Sequence, residues 1–307
     1  MSIMFLRDAK IRGVFIQAAM VVTIFGVISL LVLTTLENLR NRGIPVGWDF
    51  LFTPSQVVIS ESLLDHDHEA PAWRAILVGI VNTLYVSGLV IFLSSGFGLL
   101  LGLARLSNNP LARGTSRTWI EVARNFPPIV ILIFLYSLWW KVFPPVDEAW
   151  QPFTGVLISM RGIQLPALQW ELSPELSTVV IGLTIYTAGF VAEIVRAGVQ
   201  SIGEGQWEAG RSLALRRGQI LRLIIIPQTL RVIVPPLNSQ YINVVKNSTL
   251  VIAVGYPDFL AVMNTIISKT SHSIEGVAII LGVYLAINLS LSVMANAYNR
   301  RIALVER

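Results

Sequence analysis

The chain has 307 residues, 54% hydrophobic and only 13% charged, where a soluble domain carries roughly 25% charged residues, so its apolar surface belongs in a bilayer. It contains no cysteine, which excludes disulfides, thiol chemistry and zinc sites built on thiolates. The net charge of +5 comes from arginines at the ends of apolar segments, with no block of interleaved basic and aromatic residues, so nucleic acid is set aside as a partner.

Crossing a hydrocarbon core takes about 20 apolar residues in a helix. Six segments qualify: roughly Gly13–Leu36, Ala75–Leu106, Trp119–Val142, Leu176–Ile202, Ile224–Gly255 and Val277–Ala297. The first follows Arg7, Lys10 and Arg12, as a secretory signal would. It exceeds the about 7–15 residues of a signal core, and no small-x-small cleavage site follows, so it is expected to be an uncleaved span. The loop from Glu37 to Arg74 is long and contains Asp65-His66-Asp67-His68-Glu69. Two histidines at i and i+2 point the same way only on a strand, so a solvated acidic loop is expected there rather than a metal site. His272 is isolated.

The second long loop runs from Phe143 to Glu175 and is rich in proline. Trp150 and Trp170 suit anchors at a membrane interface. Its apolar stretch Gly155–Met160 either pairs as a strand or dips into the membrane surface. Within the fourth span, Gly189 of Tyr186-Thr187-Ala188-Gly189-Phe190 lets a neighbouring helix approach. The fifth segment carries Pro235-Pro236, which removes two backbone donors and predicts a break. Polar residues follow it, among them Asn243, Lys246, Asn247, Ser248 and Thr249. Irregular polar backbone at membrane depth is tolerated only beside protein or a water-filled cavity, so this part is expected to face the interior or a path.

With the N-terminus in the cytoplasm, the inside segments hold Arg7, Lys10, Arg12, Arg105, Arg113, Arg117, Arg211, Arg216, Arg217, Arg222, Arg300, Arg301 and Arg307. The outside loops then hold Arg40, Arg42, Arg74, Lys141, Arg161 and Lys269. Thirteen against six predicts that both termini are cytoplasmic.

A short polar segment between the fourth and fifth spans stands out: Gly205-Gln206-Trp207-Glu208-Ala209-Gly210-Arg211-Ser212-Leu213-Ala214-Leu215, closing at Ile226-Pro227. Glu204 and Glu208 favour the start of a helix. Glu208 and Arg211 are three apart and can share a face. Gly210 and Ala214, four apart, predict a flat strip that another backbone can approach.

This run resembles the EAA loop of ABC importer permeases, with Glu208-Ala209-Gly210, then Ala214 where the family usually has Gly, then Ile226-Pro227. Pro227-Gln228-Thr229-Leu230-Arg231, Pro235-Pro236-Leu237 and Lys246-Asn247-Ser248-Thr249-Leu250 are similar to the polar amino acid permeases. So are Glu121-Val122-Ala123-Arg124-Asn125-Phe126-Pro127-Pro128 and Ala192-Glu193-Ile194-Val195-Arg196-Ala197-Gly198. The extra first span and long first loop resemble the general L-amino acid branch, in which two different permease chains form a heterodimer. The resemblance implies an all-α integral membrane protein of six transmembrane helices, the last five forming a type I importer core. Residues 1–74 would be an N-terminal addition, and 75–307 the core, with a cytoplasmic coupling loop over 203–223.

It further implies an ATP-driven amino acid importer of the bacterial inner membrane. An ABC ATPase dimer would bind Gln206, Glu208, Ala209, Gly210, Leu213, Ala214, Leu215 and Pro227, and a periplasmic binding protein would deliver the substrate. ATP would be used by the partner, and this chain would need no cofactor.

Charges inside spans are site candidates by default. Glu193 with Arg196 and Glu121 with Arg124 are each three apart and can pair. Near the inner interface, structural pairing is favoured over substrate contact. Lys246, deep along its span, suits a carboxylate substrate, and a buried structural pair or snorkelling explains it equally well. Tyr186 is a further candidate for the path.

Enzymatic chemistry finds no support: there is no phosphate-binding G-x-x-x-x-G-K-[ST] and no H-E-x-x-H. The alternative function is an ion-coupled secondary amino acid transporter, since broken helices also occur there. Such transporters usually carry internal repeats and need no docking loop. An anchor subunit of an enzyme complex would show haem-ligating histidines within spans, and none of His66, His68 or His272 lies in one.

Overall fold

Backbone placed in hydrocarbon must satisfy its own N–H and C=O groups, so the apolar runs become helices. The computed structural model describes residues 9–302, with side chains over 13–298. In chain order the helices are α1 (Ala9–Asn41), α2 (Ala72–Arg105), α3 (Pro110–Asn125), α4 (Pro128–Val142), α5 (Pro174–Gln200), α6 (Glu204–Ser212), α7 (Arg217–Ile220), α8 (Ile226–Asn247), α9 (Phe259–Thr270) and α10 (Ser273–Ile302). Five helical stretches are long and apolar enough to cross a membrane, 13–41, 72–105, 174–200, 217–254 and 273–298, and the bent pair α3–α4 makes a sixth when taken as one span. Arg7, Lys10, Arg12, Arg300, Arg301 and Arg307, counted above for orientation, lie outside the described side chains.

The third expected span, Trp119–Val142, is not one straight helix. α3 and α4 meet at an angle of 104°. Pro127-Pro128 is the cause, since it forces Phe126 into extended backbone (φ −93°, ψ 136°). α3 starts earlier than expected, at Pro110, with the Asn109 side chain accepting from Leu111 N at 2.9 Å. It is amphipathic, burying Ser116, Ile120 and Ala123. The 15 residues of α4 rise only about 22 Å, short of the about 30 Å core.

The break expected at Pro235-Pro236 is also displaced. α8 continues through both prolines, whose rings lie on its exposed face. The irregularities fall on either side: a π-helical turn over Leu221–Ile225 and a 3₁₀ segment over Ser248–Val254, closed by Gly255 at φ +82°. The run 217–254 is therefore helical without a gap.

α2 and α5 form the centre of the bundle, and glycines set their approach. A Cβ on Gly98 would lie 2.5 Å from Val191 Cβ, and one on Gly102 would lie 2.8 Å from the Ala192 carbonyl. This is the small-xxx-small packing of membrane helices. α1, by contrast, exposes its side chains from Val14 to Asn38. The loop after it returns to the core: Gly47 N donates to Glu275 Oε1 at 2.6 Å, and buried Phe50 stacks on His272 at 4.6 Å.

The second long loop is a four-stranded antiparallel sheet of sequential hairpins: β1 (Trp150–Phe153), β2 (Val156–Ser159), β3 (Gly162–Leu165) and β4 (Trp170–Leu172). Of the two options left open for Gly155–Met160, pairing as a strand is the one adopted. The Trp170 indole donates to Tyr85 Oη at 3.0 Å and ties β4 to α2. Trp139 Nε1, near the C-terminal end of α4, holds the Ser159 carbonyl at 3.1 Å and ties β2 to that helix. In the first long loop His66 Nε2 bonds the Val57 carbonyl at 3.1 Å, and His68 pairs with Asp67 at 3.2 Å. Among the described residues no three His, Asp or Glu gather as metal ligands would.

Candidate coupling site and translocation face

α6 is the polar helix expected between the late spans, but it ends at Ser212, two residues before Ala214. Ala214 N donates to the Arg211 carbonyl at 2.9 Å and Leu215 N to the Gly210 carbonyl at 3.1 Å. These two hydrogen bonds around a left-handed residue make a Schellman motif. Ala214 holds the left-handed position at φ +54°, where a Cβ is unfavourable by about 1–2 kcal/mol. The resembled family's usual Gly at this place thereby has a backbone reason. Ala214→Gly is expected to stabilise the loop by about 1 kcal/mol, measured as slower proteolysis at Arg211, Arg216 and Arg217.

The flat strip of Gly210 and Ala214 is corrected by this geometry. The two residues do not share a helix face, and Gly210 is buried. A Cβ there would meet Ile220 Cγ1 at 2.8 Å, so Gly210 admits α7 of its own chain rather than a partner. Gln206, Glu208, Ala209, Leu213 and Ala214 remain exposed, Leu213 to 71%. Leu215 and Pro227 are half-buried. Gln206 accepts from Gln228 Nε2 at 3.1 Å, tying α6 to α8. Glu208 and Arg211 form no ion pair; Arg211 instead lines a hollow of about 420 Å³ with Trp207, Leu215 and Ile220.

The expected charge pairs divide. Glu193 and Arg196 are joined at 2.5 Å, and Arg105 of α2 adds a third member 3.5 Å from Glu193. Glu121 pairs with Arg117 at 2.7 Å, not with Arg124. Four residues along a helix bring side chains together as readily as three, and Arg124 lies over the Phe190 ring at 5.3 Å instead.

The expected path residues also divide. Ser239, Asn243 and Lys246 stand exposed on one face of α8, at helical spacing with Pro236. Among the described residues Lys246 has no ion-pair partner. Ser248 is buried and its hydroxyl donates to the Val245 carbonyl at 2.7 Å, so it does not line an open face. Asn247 and Thr249 are half-buried, and the Thr249 hydroxyl donates to the Lys246 carbonyl at 2.8 Å. Tyr186 is half-buried on α5 against Phe190, ring centres 5.0 Å apart.

Two carboxylates matter that the pattern did not single out. Asp258 is fully buried and caps α9 through Ala261 N at 2.9 Å. Burial pushes its pKa up to about 6. Glu61 hydrogen-bonds the Ser173 hydroxyl, and burial raises its pKa, with Glu175 and Glu171 adding repulsion. Spacing carries no signal for Glu61, whose partner is distant in sequence, whereas Asp258, three residues before Ala261, follows the local pattern of a helix N-cap.

Residues 94–304 match the family described as "Binding-protein-dependent transport system inner membrane component". The chain belongs to this family. The permease is 35% identical to the "Putative amino-acid ABC transporter permease protein YhdX" of Escherichia coli (strain K12), over 98% of this chain and 96% of that one. It is 30% identical to the "General L-amino acid transport system permease protein AapQ" of Rhizobium johnstonii, over 98% and 94%. Its fold is similar to that in "Crystal structure of an amino acid ABC transporter with histidines", with 26% identity and a TM-score of 0.61 over 75% of this chain and 94% of that one. A MetNI methionine ABC transporter, 18% identical with a TM-score of 0.57 over 75% and 97%, shares the fold. The permease is thus a multi-pass, mostly helical membrane component of a transport family, not a member of an enzyme family. The resemblance drawn from its loop motif is met.

Proposed function

We propose that this permease carries amino acids across the bacterial inner membrane as one half of a heterodimeric path in an ATP-driven importer. A cytoplasmic ABC ATPase dimer docks on α6, and a periplasmic binding protein delivers the amino acid. ATP is used by the ATPase; this chain neither binds nor hydrolyses it and holds no cofactor. Both termini lie in the cytoplasm, residues 1–74 are an addition, and 75–307 form the core with its coupling loop over 203–223.

The observation that carries the reading is the form of α6. It is an exposed polar helix whose inner face is locked onto α7 through Gly210 and Ile220, while Glu208, Ala209 and Leu213 are left free. An exposed leucine beside a free carboxylate fits a protein groove better than bulk water. The test is a pull-down of the tagged chain from native membranes in mild detergent, with mass spectrometry of the co-purified chains. A soluble P-loop ATPase together with a second permease supports the assembly; the chain alone, or only with itself, argues for ion-coupled transport instead.

On α8, the Ser239–Asn243–Lys246 face is too polar to lie against lipid tails, which supports its facing the path between the two permeases. Lys246→Met is expected to lower uptake about tenfold, corresponding to roughly 1.4 kcal/mol, through a weaker apparent affinity. Normal affinity in that variant removes Lys246 from the path.

A further inference from the structure

Two hollows on this permease, one cationic and one apolar, meet at Gly114. The first is a pocket of about 320 Å³ where α2, α3 and α5 converge, lined by Arg105, Arg113, Arg117 and Arg196 with Gln200. Glu193 neutralises part of the charge of Arg105 and Arg196, and Glu121 pairs with Arg117. Arg113 has no carboxylate within 4 Å among the described residues. Four guanidinium groups against two carboxylates leave the pocket positive. The second hollow, about 610 Å³, runs along α3 past Trp119 and Val122 to Ile185 of α5, and its walls are almost wholly apolar. Gly114 belongs to both linings.

A positive pocket that shares the Gly114 wall with an apolar groove matches an amphiphile with an anionic head. Arginine forks suit phosphate oxygens, and basic pockets between membrane helices hold anionic headgroups at the cytoplasmic side. A free phosphate has no use for the groove, and an apolar helix of another chain has none for the arginines. We propose that α2, α3 and α5 hold one anionic phospholipid, its phosphate among Arg105, Arg113, Arg117 and Arg196 and an acyl chain along Trp119 and Ile185. The leaflet it comes from rests on the cytoplasmic placement proposed above, while the binding itself does not.

Gly114 makes the proposal testable without harm to the fold. Nothing lies within 4 Å of a Cβ built on it, so Gly114→Leu fits its helix and places a side chain on the wall the two hollows share. The whole complex, purified in mild detergent, is incubated with phosphatidylglycerol and phosphatidylethanolamine of matched chains and read by native mass spectrometry. The expected result is about fivefold preferential retention of phosphatidylglycerol. Arg113→Gln and Gly114→Leu should each lose one retained phosphatidylglycerol per copy of this chain. Equal retention of both lipids, unchanged retention in both variants, or displacement by inorganic phosphate alone overturns the proposal. A Gly114→Cys variant, in a chain with no other cysteine, that cross-links to another protein at this place also overturns it. A complex that lacks an ATPase but keeps the lipid preference counts against the importer reading and leaves the lipid site standing.

Discussion

Glu208→Lys is expected to reduce uptake about thirtyfold or more while the chain still inserts at normal levels. The side chain is exposed and has no hydrogen bond or ion pair among the described residues, so reversing its charge removes nothing from this chain's own fold. In the docked complex the same change sets a cation against the basic groove that a carboxylate on α6 would meet. Losing one member of a buried interfacial charge pair costs about 2–5 kcal/mol, which is a factor of about 30 to several thousand. Uptake by whole cells, with ATPase recovered in pull-down, gives the two readouts. Glu208→Gln, which keeps the shape, should fall between wild type and Glu208→Lys. Unchanged uptake in Glu208→Lys would remove α6 from the docking role.

Gly98→Leu should have the second large effect, on the permease itself rather than on its partner. The added Cβ alone lies 2.5 Å from Val191 Cβ, and the Ala188 carbonyl stands at 3.0 Å, so α2 and α5 must part. Overpacking of this kind costs about 1–3 kcal/mol and more where backbone has to move. The expected outcome is loss of a monodisperse peak in detergent chromatography. Gly96→Leu is the internal control: it lies on the same helix two residues away, with nothing within 4 Å of a Cβ, and should behave as wild type. Similar behaviour of the two variants would show that the α2–α5 contact does not determine stability.

The membrane class and five of the spans were legible because hydropathy over about 20 residues is a local property. Pro127 and Pro235 show where local reasoning stops. Both are paired prolines in apolar runs, yet one bends the chain by 104° and the other sits inside a continuous helix. Proline removes a donor in either case, and the neighbouring elements decide whether the helix bends. The loop motif was legible as a contact surface, but not its facing: only the fold shows that Gly210 is covered by Ile220 and that Ala214 lies beyond the helix end. Glu193–Arg196 was readable at three residues, whereas Arg105 comes from a helix nearly ninety positions earlier and has no pattern to betray it. Lys246 and Ser248 were grouped as neighbours in sequence, although a helix turns about 100° per residue and sends them to different faces.

The gapless helical run from Arg217 to Val254 has a mechanical consequence. Gly210 seats α6 against Ile220, and the next turns are π and α helix with no non-helical residue between, so there is no slack joint at the membrane boundary. In the proposed docking role α6 would bear on this run as a crank bears on its shaft, through the Gly210–Ile220 contact and across the non-helical residues 213–216. A tilt of α6 therefore passes through the Gly210–Ile220 contact rather than through the left-handed turn at Ala214, and from Arg217 onward the first left-handed residue is Gly255, beyond the 3₁₀ segment at Ser248–Val254. In the proposed importer, a push on α6 would thus be felt at the far end of this run.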